Sequence, residues 1–409
     1  MNPPSVPDTA AAGPATGARA GSRWPRPAAT TPTRLTLYAA AWFTLVLNTA
    51  FWRLVAGRLD QGVGGSPMLV AQLVVFLLSL TVFLLSFFRF PWLLKPALVP
   101  LLLCSSAAAY FMNEYRIMID NEMLRNVLQT DRLEVQGLLS WTLLAYVLAL
   151  GVLPAWLVLR TRVRWAGPLR NGAQTLGVLA VALAISLASL LVDFKASAPF
   201  LREQGKELQW RALPLNLMLG VAWLARDGRA MASPKPFEQV ARRVKLDPVA
   251  EADAPSVTVL VVGETSRAAN WSLNGYARPT NPMLATLPVT SFTQVSSCGT
   301  ATAISLPCMF SGLGRAEYAW GKADNRENLL DIAKRAGYRV VWVDNQAGSK
   351  GVSARVENRV VVAPGDSGAE ASDLELIPAF EQLLGLPDRH LLVVLHQMGS
   401  HGPEYHKRS

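Results

Sequence analysis

The sequence predicts a membrane α-helical bundle of five spans followed by an outer domain with a parallel α/β sheet. Three observations carry this. Just over half of the 409 residues are hydrophobic and only 17% are charged, too apolar a balance for an ordinary soluble protein. Five nearly uncharged runs of about twenty residues, each long enough to cross a bilayer, fall before residue 195. From about Ala254 the pattern changes to short β-branched strands alternating with helical stretches.

Residues 1–33 are rich in Ala, Pro, Thr and Arg without periodicity and read as a disordered cytoplasmic tail. They are not a cleaved signal, because the apolar run that follows is too long for a signal core. The five-helix membrane domain is placed at 34–195, with spans near 35–52, 68–88, 96–113, 138–159 and 173–192. Trp42, Trp52, Trp92, Trp141 and Trp156 lie mostly toward span ends, as interfacial aromatics do. Arg19, Arg23, Arg26 and Arg34 precede span one, Arg89 and Lys95 follow span two, and Arg160, Arg162, Arg164 and Arg170 follow span four. All fall on one side, which makes that side cytoplasmic and everything after about Phe194 external. Arg53 and Arg58 weaken this asymmetry without reversing it. Cys104, inside span three, reads as a small buried residue. The net charge of +10 suits anionic lipid head groups, and no nucleic-acid motif competes for it.

The external loop 114–137 is longer than a connector needs to be. Asn126, Thr130 and Glu134 are spaced i, i+4, i+8, so on a helix they share one face. The spacing alone is equally that of a solvated connector helix. Residues 196–253 read as a linker. Within it, the apolar run 212–225 is too short to span and is flanked by Lys206, Arg211, Arg226 and Arg229, which suits an interfacial helix. The A-S-P-K-P segment at 232–236 breaks any helix.

In the outer domain, 254–409, strands are expected at 256–262, 338–344 and 390–396, with helices at 326–336 and 373–385. In open α/β sheets the site lies beyond the carboxyl ends of the strands. Glu264, Asp344 and His396 stand at three such ends. Glu264 is a metal-ligand candidate or a turn carboxylate. Cys298 and Cys308, ten apart in an external domain, are expected to pair as a disulfide. Between them Thr300 and Thr302 open a helix. A threonine there is a helix cap, or a nucleophile if a base or metal takes its proton. A helix N-terminus would also favour a bound phosphate. Lys350 is an anion contact or an exposed lysine. His401 lies in a Gly-bounded loop after the third strand, and a lone His is usually structural.

Together these segments resemble the phosphoethanolamine transferases that modify lipid A, including the mobile colistin-resistance enzymes. The resemblance rests on N-V-L-Q-T-D-R-L-E, V-V-G-E-T-S-R, N-G-Y-A-R, S-C-G-T-A-T-A-I-S-L-P-C-M-F-S, D-N-Q-A-G-S-K-G and L-H-Q-M-G-S-H-G-P-E-Y. It implies an alkaline-phosphatase or sulfatase-like outer domain in the periplasm of a multi-pass inner-membrane protein. It implies transfer of phosphoethanolamine from phosphatidylethanolamine to the lipid A of lipopolysaccharide, through a covalent phospho-threonine, with resistance to polymyxin-type peptides. By the same resemblance Thr302 is the nucleophile, Glu264 and Thr302 are zinc ligands, and Lys350 and His401 contact the phosphate or a second metal. Asn126, Thr130 and Glu134 then bind the lipid substrate among the surrounding membrane lipids, and His396 and Thr300 remain further possible site residues. The family's Asp-His metal pair, in an S-D-H-G-E type motif, is not in the sequence. The outer domain is therefore expected to lack its C-terminal end and to hold an incomplete zinc site. The alternatives are another transferase or hydrolase of the fold, such as a phosphoglycerol transferase, or an inactive membrane protein.

Overall fold

The computed structural model describes residues 29–60, 67–129, 135, 138–231, 236–246, 255–319, 321–346, 348–361 and 372–401. The membrane half opens with a two-residue strand, β1 (Ala29–Thr30), paired parallel with β2 (Arg162–Val163). Helix α1 (Pro32–Leu47) begins on a Thr31 cap and passes into a π-helical turn at Trp42–Leu47. It meets α2 (Thr49–Asp60) at a bend of 54°. A break inside a span frees backbone groups that lipid cannot satisfy, and Asn48 at the break supplies partners. Its Nδ2 donates to the carbonyls of Phe43 and Leu213, and its Oδ1 accepts from the Leu213 N–H. The first predicted span is thus a bent pair, hidden in the sequence because the apolar run is continuous.

The helices α3 (Pro67–Ser86), α4 (Leu94–Glu114), α6 (Trp141–Arg160) and α7 (Pro168–Val192) are each long and apolar enough to cross a membrane. Between α4 and α6 lies the short α5 (Asn121–Gln129). Leu35, Phe43, Leu85, Leu94, Leu98 and Leu102 form the packed centre of this bundle. Small residues let the helices approach, as membrane packing requires. A Cβ at Gly151 on α6 would come within 2.3 Å of Ser106 Oγ on α4. The basic residues of the turns also cap and join helices. Arg89 is fully buried and donates to Thr33 Oγ1, while Lys95 donates to the carbonyls of Leu159 and Thr161 at the end of α6. Cys104 corrects the sequence reading: it is exposed on α4, on the side turned away from the bundle centre. A thiol is apolar enough to sit there.

Two further helices follow, α8 (Phe194–Arg211) and α9 (Leu215–Met231). α8 packs Phe200 and Leu208 against Phe51, Val55 and Leu69. It carries too many charges to stand out as an apolar run, so only the α9 stretch was predicted as helix.

The α/β domain has a parallel sheet in the order β3 (Ser256–Val262), β6 (His390–His396), β4 (Arg339–Asp344), β5 (Glu357–Val360). The register places Val262 beside His396 and His396 beside Asp344. One sheet face is covered by α10 (Thr302–Phe310) and α11 (Leu329–Ala336), through Leu306, Phe310 and Leu330. The other is covered by α12 (Leu376–Leu384), through Leu376 and Leu383. α11 starts in a capping box built by Asn328 and Asp331 and stops at Gly337, whose φ of +105° suits a helix end. The segment 236–246 lies against this domain rather than in solvent. The Glu238 N–H donates to the Asn325 carbonyl, the Glu327 N–H donates to the Glu238 carbonyl, and the buried Glu327 carboxylate accepts from the N–H groups of Val240 and Ala241 and from Arg335.

Candidate functional site

All described strands of the α/β sheet run the same way, so their carboxyl ends gather at one edge, and three loops meet there. The loop after β3 carries Glu264 and Thr265. Thr265 holds a left-handed φ of +54°, an uncommon state for a threonine. Its hydroxyl donates to Glu264 Oε1 at 2.7 Å. The other carboxylate oxygen, Oε2, accepts from Thr302 Oγ1 at 3.0 Å and from Gln346 Nε2 at 2.9 Å. The loop after β6 passes directly over this group. Ser400 donates its N–H to the Glu264 carbonyl, and a Cβ at Gly399 would fall 2.8 Å from that same oxygen. Glycine at 399, with φ of +53°, is what allows the close passage.

Burial works to raise the Glu264 pKa. The hydrogen bonds from Gln346, Thr265 and Thr302, and the charge of His401, outweigh it and hold the carboxyl below its ordinary value. Glu264 is thus a carboxylate with its proton removed, placed against a threonine hydroxyl. Thr302 is the first residue of α10, and its hydroxyl donates to Glu264 rather than accepting from the helix N-terminus as a cap does. Thr300 lies on the exposed turn before the helix. A disulfide joins Cys298 and Cys308, with Cα atoms 6.4 Å apart, and closes the loop that carries both threonines. Gly299 admits the Ile304 side chain at 2.8 Å from its missing Cβ, which packs the loop onto α10.

The other predicted residues fall around this centre. His401 ends the β6 loop, and its charge reaches Glu264. Lys350 lies on the turn after β4 in a left-handed conformation, with φ of +49°. His396 is almost completely buried; its Nδ1 bonds Asp344 Oδ1 at 2.6 Å and its ring packs 5.2 Å from Trp342. Asp344 also accepts the Gly348 N–H, which shapes the turn leading to Lys350. Asn126 sits on α5, and Thr130 and Glu134 lie outside the described residues.

Two contributors were missed in the sequence. Gln346 stands in the quoted D-N-Q motif, two residues past the end of β4, and that offset was the available signal. Asp373 gave none. It accepts from Asn345 Nδ2 and from the N–H groups of Met398 and Gly399, tying the β4 and β6 loops together.

Glu264 Oε2 and Thr302 Oγ1 are two hard oxygen donors, one of them anionic, side by side. They fit part of the shell of a divalent cation. Zinc sites take three or more protein ligands, and among the described residues no cluster of three His, Cys, Asp or Glu side chains could hold a metal.

Comparison with known proteins gives two family matches along the chain. Residues 77–227 match the family described as Phosphoethanolamine transferase EptA/EptB, and residues 256–409 match the family described as Sulfatase. The chain is 34% identical over 382 residues to phosphoethanolamine transferase EptA of Escherichia coli K12, covering 91% of this chain and 69% of the relative. It is 35% identical over 358 residues to phosphatidylethanolamine transferase Mcr-1 of Escherichia coli, covering 84% of this chain and 65% of the relative. The chain thus spans about two thirds of the length of these relatives. Among solved structures it resembles the integral membrane lipooligosaccharide phosphoethanolamine transferase A of Neisseria meningitidis, with a TM-score of 0.88 and 32% identity over 93% of this chain and 72% of that one. A membrane bundle joined to a sulfatase-like domain is therefore the architecture, and the chain belongs to the phosphoethanolamine transferase family.

Proposed function

We propose that this protein transfers phosphoethanolamine from phosphatidylethanolamine to lipid A, with Thr302 as the group that carries it between them. The observation that carries this reading is the hydrogen bond from Thr302 Oγ1 to an ionised Glu264 at the carboxyl edge of the sheet. In the first half-reaction Thr302 Oγ attacks the donor phosphorus. The bond from phosphorus to the glyceryl oxygen breaks, and diacylglycerol leaves with the proton. In the second, a phosphate oxygen of lipid A attacks the phosphorus of the phospho-threonine, the bond from phosphorus to Thr302 Oγ breaks, and Oγ takes up the proton given up by the lipid A phosphate to regain its hydroxyl. Glu264 fixes the hydroxyl's direction and disfavours any rotamer pointing away from the phosphorus. Gln346 holds the same carboxylate oxygen from the other side. Lys350 and His401 supply positive charge for the non-bridging oxygens. Zinc is the metal we assign, held in part by Glu264 and Thr302; when bound it lowers the hydroxyl's pKa and offsets phosphate charge.

The α/β domain lies in the periplasm and the N-terminus in the cytoplasm, on the arginine distribution of the tail and turns. To Asn126, Thr130 and Glu134 we assign binding of the lipid substrate. An added ethanolamine places an amine on lipid A, reduces its net negative charge and weakens capture of cationic polymyxin-type peptides. The decisive experiment is intact-mass analysis after incubation with phosphatidylethanolamine. Wild-type chain should gain one phosphoethanolamine and Thr302→Ala none, with both equally folded. The same adduct on the alanine variant would remove Thr302 from this role.

A further inference from the structure

Helix α5 is built the wrong way round for a solvated connector. It buries its arginine and exposes the two aliphatic residues near its end: Arg125 is 7% exposed, while Val127 is 56% and Leu128 70% exposed. An arginine is rarely buried without a specific mate. Here its guanidinium lies over the Trp223 ring of α9, 4.5 Å from the centroid. The planar, weakly hydrated guanidinium suits such stacking better than an ammonium does. One residue earlier, Leu124 packs onto Gly220 of α9, where a Cβ would lie 2.7 Å from Leu124 Cδ2. Two successive residues of α5 are thus seated on one helix, and the following residue is Asn126.

We propose that Arg125 is a positioning residue that pins α5 on α9, holding Asn126 at a fixed place beside the membrane-side helices. The exposed Val127 and Leu128 then face the bilayer surface, where a lipid's head group is presented. This rests on the reading of α5 as part of the lipid site; the pin itself is a geometric claim and is tested separately.

The test uses the full chain in nanodiscs containing phosphatidylethanolamine, with Cys104→Ser and spin labels on Val127→Cys of α5 and Val221→Cys of α9. Arg125→Gln should broaden the distance distribution between the labels, and Arg125→Lys should restore part of its sharpness. Asn126→Ala should leave it unchanged. In donor kinetics followed by phospho-Thr302 formation, Arg125→Gln should raise KM about tenfold with kcat kept, since it displaces a binding group and not a reacting one. A distance distribution in Arg125→Gln as sharp as wild type would overturn the pin. So would a loss in kcat with KM unchanged. If Arg125→Gln broadens the distances but Asn126→Ala leaves KM unaltered, the pin stands and the lipid role of α5 falls.

Discussion

Glu264 and Asp344 both stand at the carboxyl ends of parallel strands in one sheet, Asp344 as the last residue of β4 and Glu264 two residues past β3, yet they differ in burial and in partners. Glu264 follows the edge strand β3, is partly accessible, and takes its hydrogen bonds from Thr302, Gln346 and Thr265. Asp344 ends the inner strand β4, is buried, and is bonded to the buried His396 and to backbone. Position on the sheet brings carboxylates to the site. The neighbouring strand decides whether they meet substrate or become part of the core. A carboxylate whose partners sit on its own loop, at the start of α10 and on the β4 loop can exchange them for a ligand. One whose partner is the next strand's side chain cannot do so without opening the core.

Three substitutions would break or sharpen this contrast. Glu264→Gln keeps the shape of the acceptor and removes its charge, so phospho-Thr302 formation should fall by about a hundred- to a thousandfold, the scale seen for a lost electrostatic contact. The melting temperature should hardly move. Asp344→Ala should do the reverse. It leaves His396 Nδ1 and the Gly348 N–H without an acceptor, at about 3 kcal/mol of stability, while the rate per folded molecule is retained. Denaturant melts paired with single-turnover assays on both variants test this. A large rate loss in folded Asp344→Ala would show that the two carboxylates work as one unit. Next in size, replacing Cys298 and Cys308 with Ala should cost about 2–3 kcal/mol, as expected for a short closed loop. It should also slow the Thr302 step by loosening its loop. Equal rates with and without the disulfide would show that Glu264 alone holds Thr302.

A third carboxylate, remote from both strand ends, supplies the control. Burial tends to raise the Glu327 pKa, but the Ala241 and Val240 N–H groups and Arg335 bring it below the usual carboxylate value. Because its folded pKa is the lower one, its contribution is present above the unfolded value of 4.5 and is lost as pH falls through the folded value. Wild type should therefore lose stability over that acid window more steeply than Glu327→Gln. Parallel slopes would refute the assignment.

Much of this was legible in the sequence, for reasons specific to each element. β3, β4 and β6 are short β-branched runs closed by turn residues, and they were placed within a residue of their observed bounds. β5, with only E-N-R-V and an edge position, carries no hydrophobic signature. α8 was hidden by its charges and by Pro199 inside it. The bend at Asn48 depends on a partner 165 residues away, which local pattern cannot reveal. The convergence of Glu264, Asp344 and His396 at strand ends was readable. That His396 turns inward to Asp344, while Glu264 turns to Thr302, depends on strand order β3-β6-β4-β5, which sequence alone did not specify.

The docked segment 236–246 has a mechanical meaning for a protein that handles lipids. Its attachment to Glu327 leaves residues 232–235 as the chain between the last membrane-side helix and the segment docked on the α/β domain. A chain of five steps reaches at most about 18 Å. On the proposed function, this short covalent line would let a lipid be worked on without being lifted far from its leaflet. Lengthening that line, with every site residue untouched, would change which molecules the site can reach.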